Sequence, residues 1–499
     1  MEDITSALLL GHSSTSDIDH LAKTLILAAE ANIARIDSQM RDLLRLRDRE
    51  RGIIAVLKQV IAPIRKLPAE LLVEIFRVVA AQAGKLSKPT FTSHALSSVL
   101  ALSQVCAHWR QLACTTPQLW NYQVFLNFRK APSDVYLATT KTFFERSAPL
   151  PIPILWKGET PKASPLIQVM LDSAPRWESL VFAESDISQL YRLPMDALKS
   201  LISLDLRHQA HISDLSPPKV FLGAHSLRTV RLTVRNMGPF HMPWSQLVEL
   251  SLHVFNGEPA QEFLDILAQC TNIASVEFNG IVTWNQPPDM VPTPVVQLAQ
   301  LTNLRLCFHS DDGFISPFIA RLALPSLTKL SIYAGYETCW SPADITAFLR
   351  RSPNIEDLDI SYSLMTSEDL SSLLLNSPSL VALHLSSCFN SDAAFESTLE
   401  YLTFSATALA HPAPRLQRLT ISESMEDIDE EKLQHMISSR WWTDAQLAAL
   451  PVAPPVARWE KLEICIHFDV LVGQQREYSR SLLAKVAQLQ GQGLDVVID

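Results

Sequence analysis

Eleven times between residues 177 and 464 the chain repeats one arrangement: an apolar residue, a second three places on, and a third two places after that. The copies are Trp177-Leu180-Phe182, Leu201-Leu204-Leu206, Leu227-Val230-Leu232, Leu247-Leu250-Leu252, Ile273-Val276-Phe278, Leu301-Leu304-Leu306, Leu327-Leu330-Ile332, Ile355-Leu358-Ile360, Leu380-Leu383-Leu385, Leu416-Leu419-Ile421 and Trp459-Leu462-Ile464. Their starting positions advance by 24, 26, 20, 26, 28, 26, 28 and 25, then by 36 and 43. A three-position pattern arises readily by chance in a chain that is 47% hydrophobic, so the phase carries the argument. The last two positions, two apart, share one face of a strand. A unit of this size cannot bury that face alone, so neighbouring units must stack and share a core.

Proline punctuates the same phase. It stands two places before the first apolar position at Pro175, Pro325, Pro353, Pro378 and Pro414. Proline cannot continue a helix and pushes the preceding residue towards extended backbone, so it marks the passage from helix to strand. The segments between strands read as helices. Ser341-Pro342-Ala343-Asp344 and Thr366-Ser367-Glu368-Asp369 have the residue order of a capping box. Ile345, Phe348 and Leu349 follow the first, Leu370, Leu373 and Leu374 the second; Phe263, Leu264 and Leu267 form a similar face earlier. The fold class is therefore α/β. The region resembles an irregular leucine-rich-repeat solenoid, which implies a curved parallel sheet with helices on its convex side. Only Cys388 falls where that family carries its Asn/Cys position. The first strands are expected at Tyr122–Leu126 and Ile152–Trp156, so that the solenoid occupies 122–499.

Ahead of the repeats lie two other patterns. Residues 1–20 read as a flexible terminus. Residues 21–62 form a long helix with a heptad-like stripe: Ile26, Ile33, Met40, Ile54 and Ile61 in one row, Ala22, Ala29, Ile36, Leu43 and Leu57 in the other. Arg47 and Glu50 interrupt it. The stripe suits either a coiled coil between two chains or an amphipathic helix folded back on its own protein. The interruptions tilt the reading to folding back, so a homodimer is possible but not favoured.

The second pattern is LPAELLVEIF at 67–76, then LALSQVCAHWRQLA at 100–113, then PQLW at 117–120. Pro68 suits a first helical turn and Glu70 the positive end of the dipole. Leu71, Leu72, Ile75, Phe76 and Val79 make one wide apolar face. This order of residues resembles the F-box motif, over residues 63–121, and the preceding helix and the abundant prolines resemble F-box proteins of fungi. The resemblance implies that Leu67, Pro68, Leu71, Leu72, Ile75, Phe76, Val105, Trp109 and Trp120 either build the F-box or face a Skp-type adaptor.

Composition removes several function classes. Lys+Arg 42 against Asp+Glu 52 gives a net charge of −10, without the basic footprint of a nucleic-acid binder. No apolar run is long enough for a membrane span, and the start of the chain is acidic where a signal peptide is basic. A cytoplasmic or nuclear location is expected. The seven cysteines are scattered without a CxxC pair, which speaks for reduced, mostly buried thiols. Phosphate-binding, serine-hydrolase and zinc-peptidase motifs do not occur. His208 and His211 read as surface histidines and Cys106 as a small buried hydrophobe, so no catalytic residue, metal site or cofactor is expected. Two insertions stand apart: the proline-rich 284–294, and 422–458 with its acidic run and the Trp441-Trp442 pair, the run reading as a solvated face. The family resemblance implies a non-enzymatic substrate receptor of a Skp–cullin–F-box ubiquitin ligase, joined to the cullin through the adaptor and presenting an unidentified protein substrate on the repeats. A scaffold acting outside ubiquitin ligation is the alternative.

Overall fold

The computed structural model describes residues 15–85, 93–121, 124–127, 134–157, 165–183, 187–207, 219–234, 241–283, 295–309, 315–335, 340–389, 391–406, 411–425, 428–469, 474–475 and 478–498. The chain divides into two compact units, Met1–Val79 and Ala80–Asp499.

The first unit is helical. Helix α1, Thr15–Ile61, runs for 47 residues. A 3₁₀ turn, Pro63–Lys66, leads to α2, Ala69–Lys85, whose first turn carries Glu70. No described residue of α1 is buried. Leu25, Ile26, Ile33, Ile36, Met40, Leu43, Ile54 and Leu57 are all exposed.

The second unit opens with α3, Ser93–Val105, and α4, Ala107–Thr115, followed by a 3₁₀ turn at Pro117–Leu119. Beyond them a 15-stranded sheet runs strand by strand along the sequence. Its members in order are β1 (Val124–Asn127), β2 (Ile152–Lys157), β3 (Trp177–Ala183), β4 (Ser203–Arg207), β5 (Thr229–Val234), β6 (Glu249–Pro259) and β7 (Ser275–Thr283). A short β8 (Val296–Gln297) pairs with β10 (Leu322–Ala323) outside this sheet. The main sheet goes on through β9 (Asn303–Phe308), β11 (Lys329–Tyr333), β12 (Asp357–Ser361), β13 (Ala382–Ser386), β14 (Arg418–Ser424) and β15 (Lys461–Asp469). Up to this point every neighbouring pair in the main sheet is parallel. At the far edge β15 also pairs with an antiparallel β16 (Gln474–Gln475) and a parallel β17 (Asp495–Ile498).

The register reproduces the phase of the sequence pattern. The middle apolar residues form one unbroken row across the sheet, Leu180 to Leu204, Val230, Leu250, Val276, Leu304, Leu330, Leu358, Leu383, Leu419 and Leu462. The third apolar residues form a second row beside it, from Phe182 to Ile464, and both rows are buried along their whole length. The residue after the first apolar position also holds the stack. Its N–H donates to the carbonyl of its counterpart one unit earlier: Arg228 to Ile202, Val248 to Arg228, Ala274 to Val248, Thr302 to Ala274, and so on to Glu460 on Gln417, at 2.7–3.0 Å.

The return segments differ along the solenoid. Later units return by α-helices: α9 (Pro342–Arg351), α10 (Ser367–Leu375), α11 (Asp392–Leu402) and α12 (Glu430–Ser439). Earlier, α5 (Asp134–Arg146), α6 (Pro165–Asp172), α7 (Ala260–Gln269) and α8 (Ile315–Ile319) do the same. Between β3 and β6, where the spacing falls as low as 20 residues, the described parts of the returns contain 3₁₀ turns, Ile187–Arg192, Lys219–Gly223 and Trp244–Gln246. The unit of 20 residues, after its strand, has no room for three turns of α-helix, whereas the two before it are about as long as units that return by α7 and α10. The anticipated helix starts are present. The Ser341 hydroxyl accepts from the Asp344 N–H at 3.4 Å. Thr366 and Asp369 form a reciprocal capping box, at 3.2 and 2.9 Å. Four of the prolines sit in the turn between return helix and strand, and Pro175 sits in a 3₁₀ turn just before β3.

The rows predict a sharp contrast within one strand pair. Leu358→Ala and Leu383→Ala each open a cavity and cost about 2–5 kcal/mol. His384→Ala, on the opposite face and only partly covered, stays within about 0.5 kcal/mol. Thermal melts of the three variants measure this; equal losses at Leu383 and His384 would contradict the strand phase.

Candidate protein-interaction site

Helix α2 divides its apolar residues between two faces. Leu72, Phe76 and Ala80, four apart, are fully buried at 1%, 0% and 0% exposure. Leu71, Ile75, Val78 and Val79, offset by about one position, lie 38–55% exposed. The sequence suggested a single wide face from Leu71 to Val79; the structure separates a core stripe from a surface stripe. Val78, seven residues after Leu71, belongs to the surface stripe and completes the helical spacing of 0, 4 and 7. An Arg77–Glu74 ion pair at 2.8 Å flanks it. Ahead of the helix Leu67 is half-buried and Pro68 exposed.

The other residues of the matching segment fall in the second unit. Val105, at the end of α3, is exposed and Trp109 is half-buried. Trp120 is buried: its indole N–H donates to the Ala113 carbonyl at 2.6 Å, and the Arg146 guanidinium lies over its ring at 4.6 Å. Trp120 therefore ties α4 to the first return helix, and its role is internal. Residues 100–113 are not one continuous helix: α3 ends at Val105 and α4 begins at Ala107, with Cys106 between them. Cys106 is only half-buried, and its extended backbone caps α4, the sulfur accepting the Trp109 N–H at 3.5 Å. The expected buried hydrophobe is thus a sulfur N-cap in the place usually taken by Ser, Thr, Asp or Asn.

On the second unit the sheet face opposite the apolar rows carries polar rows in the same register. One runs Asp205, Arg231, Ser251, Glu277, Arg305, Ser331, Asp359, His384, Thr420, Glu463. Its carboxylates are partly satisfied from neighbouring strands: Ser251 donates to Glu277 at 3.0 Å, Ser331 to Asp359 at 2.8 Å and Thr420 to Glu463 at 3.3 Å. Asp205 is buried beneath Arg207, which donates to it at 2.8–3.2 Å. Arg231 and Arg305 stand exposed. Beside them His309, bonded to Asn279 at 2.9 Å, leads to Tyr333 and Tyr362, whose rings lie 4.7 Å apart. Both signs of charge with aromatic surface between them suit a polypeptide partner, in which charge complementarity sets specificity.

Cys388 and Glu423 show what the strand ends demand. Cys388 is fully buried; its thiol donates to the Ile360 carbonyl at 3.0 Å, and its N–H donates to the Glu423 carboxyl at 2.7 Å. Burial pushes the thiol up to about 12, so it is an unreactive structural donor. Glu423 occupies the inward phase of β14 after Leu419 and Ile421. The acidic run it belongs to is not a uniform solvated face. Asp429 caps α12 by accepting the N–H groups of Glu431 and Lys432, both at 3.0 Å, and Glu430 and Glu431 occupy its first turn. His208, His211 and the proline-rich 284–294 lie outside the described residues. Among the described residues no group of three or more His, Cys, Asp or Glu could hold a metal ion, and no helix is long and apolar enough to cross a membrane.

Residues 64–125 match the F-box-like family. Comparison with curated proteins gave no match. Among solved structures, the chain is similar to the leucine-rich repeat-containing protein LegL7 from Legionella pneumophila, at 14% identity and a TM-score of 0.32, over 68% of this chain and 98% of that one. It is also similar to a chain of the Toll–Spatzle complex from Drosophila, at 14% identity and a TM-score of 0.25, over 75% of this chain and 60% of that one. The repeat fold rests on strand order and register, which the rows above supply.

Burial raises the Glu423 carboxyl to about 7, against the N–H groups of Cys388 and Phe389, which favour its ionised form. Its folded-state pKa lies above its unfolded one, so its stabilising contribution is complete below about pH 4.5 and is lost as pH rises to about 7. Glu423→Gln keeps an acceptor and removes the titration. The variant should gain on the wild type between those pH values by at most on the order of 3 kcal/mol. Denaturant melts at pH 4, 6 and 8 check this; parallel stability curves would contradict the raised carboxyl.

Proposed function

We propose that this chain is a substrate receptor of a Skp–cullin–F-box ubiquitin ligase. The observation that carries the proposal is the surface stripe Leu71, Ile75, Val78 and Val79 inside the segment that matches the F-box-like family. An exposed apolar helix face of this kind is expected to be covered by a partner. F-box domains generally bind Skp-type adaptors, and through the adaptor a cullin would be recruited. Leu67, Pro68, Leu71 and Ile75 then belong to the docking set, while Leu72, Phe76 and Trp120 hold the fold; the exposed Val105 and half-buried Trp109 keep either role that the resemblance allows.

The open sheet face of the repeats would hold a protein substrate. The receptor itself contributes proximity rather than bond chemistry, since holding two reactants together turns a bimolecular step into an effectively unimolecular one. This reading is supported by the mixed charge of the polar rows.

Capture by a purified Skp-type adaptor tests the docking face. Leu71→Glu combined with Ile75→Glu should weaken capture by on the order of 2 kcal/mol or more per anchor, with an unchanged melting temperature. Leu72→Ala should instead lower the melting temperature. Undiminished capture by the double variant would place docking elsewhere. Adaptor capture without cullin in a reconstituted mixture would favour the scaffold role outside ligation.

A further inference from the structure

Helix α1, Thr15–Ile61, offers an apolar seam in which no described side chain is buried, and two charged residues sit in that seam. In the heptad phase set by Ile26, Ile33, Met40, Ile54 and Ile61, Arg47 takes the a position. Ala22, Ala29, Ile36, Leu43 and Leu57 take d, and so does Glu50. In a parallel pair a faces a and d faces d. Arg47 would then oppose Arg47 of the other chain, and Glu50 its own copy. In an antiparallel pair a faces d, and one alignment sets Arg47 against Glu50 twice across the two-fold axis.

That alignment also settles every other layer. Ile54 meets Leu43, Met40 meets Leu57 and Ile61 meets Ile36, each layer occurring twice by symmetry. Two of the flanking pairs agree, while Leu44 beside Arg51 and Gln39 beside Val60 are indifferent. Leu46 comes beside Ile53 on one side, and Asp37 beside Lys58 on the other. Shifting by one heptad in either direction places Arg47 against Leu43 or Leu57, and Glu50 against Met40 or Ile54, each an uncompensated charge in the seam. Gly52 falls on the outer face, where it is surrounded by open space. The overlap runs from residue 36 to 61, roughly 39 Å of helix at 1.5 Å per residue. All these side chains are solvent-exposed in the single chain.

We propose that helix α1 pairs with a second copy of this chain as an antiparallel coiled coil centred on reciprocal Arg47–Glu50 contacts. The charges that appear to break the seam specify orientation and register, as buried polar residues do in other coiled coils.

Sedimentation equilibrium of the full chain tests it. The wild type should be dimeric at micromolar concentration. Glu50→Arg places arginine against arginine in both central layers and should raise the dimer dissociation constant about 100-fold or more. Arg47→Glu should do the same by opposing two carboxylates. The combined Arg47→Glu and Glu50→Arg variant restores opposite charges and should return to within a few-fold of the wild type. Circular dichroism on each variant monitors helix content. A monomeric wild type would overturn the proposal. So would single reversals that leave the dimer unchanged, which is the outcome a parallel pair gives, or a double variant that remains monomeric with its helix content intact.

Discussion

The lateral stacking of one short strand on the next holds the second unit together. Each strand contributes two inward side chains, and these are buried only because the units before and after contribute theirs at the same level. Across the sheet this yields two continuous apolar rows, and the backbone ladder beginning at Glu178 and Ile202 fixes the level. Stability in such an array is close to a sum over units and their interfaces. A unit can therefore vary its return segment widely, from the 3₁₀ turns between β3 and β6 to the helices α9–α12, while its strand triplet stays in phase.

This explains how much of the architecture was readable in the sequence. The inward positions are repetitive and chemically narrow, so spacing alone exposes them, and the capping residues Thr366 and Asp369 announce their helix because the end of a helix needs local donors and acceptors. What escaped was set by contacts distant in sequence or by unusual chemistry. The last strand, β17, aligns Val496 with Leu462 and Ile498 with Ile464, but its first apolar position is Gly493, at φ 99°, so the triplet is not recognisable. Cys106 looked like a core residue because cysteine seldom caps a helix. Glu423 looked like part of a charged surface because nothing local reveals that the N–H of Cys388, thirty-five residues earlier, needs an acceptor.

The candidate interaction site was legible as a motif and illegible as a surface. Leu71, Leu72, Ile75 and Phe76 are equivalent in hydrophobicity, and helical spacing places them within one broad face. Only the burial of Leu72 and Phe76 beside the exposure of Leu71 and Ile75 tells a core residue from a surface residue. Trp120, prominent in the motif, proves to be a structural anchor through Ala113 and Arg146.

That anchor makes the solenoid a ruler. Trp120 joins α4 to α5, and α5 leads into β2, the second strand in a sheet whose strands lie about 4.8 Å apart. Positions on the open face are thereby graduated outward from α4. A partner seated over β3 and one seated over β14 would lie roughly 43 Å apart along the sheet. Polar side chains exchanged between strands at one register position would shift along the sheet in steps of one strand spacing while the buried rows keep their places.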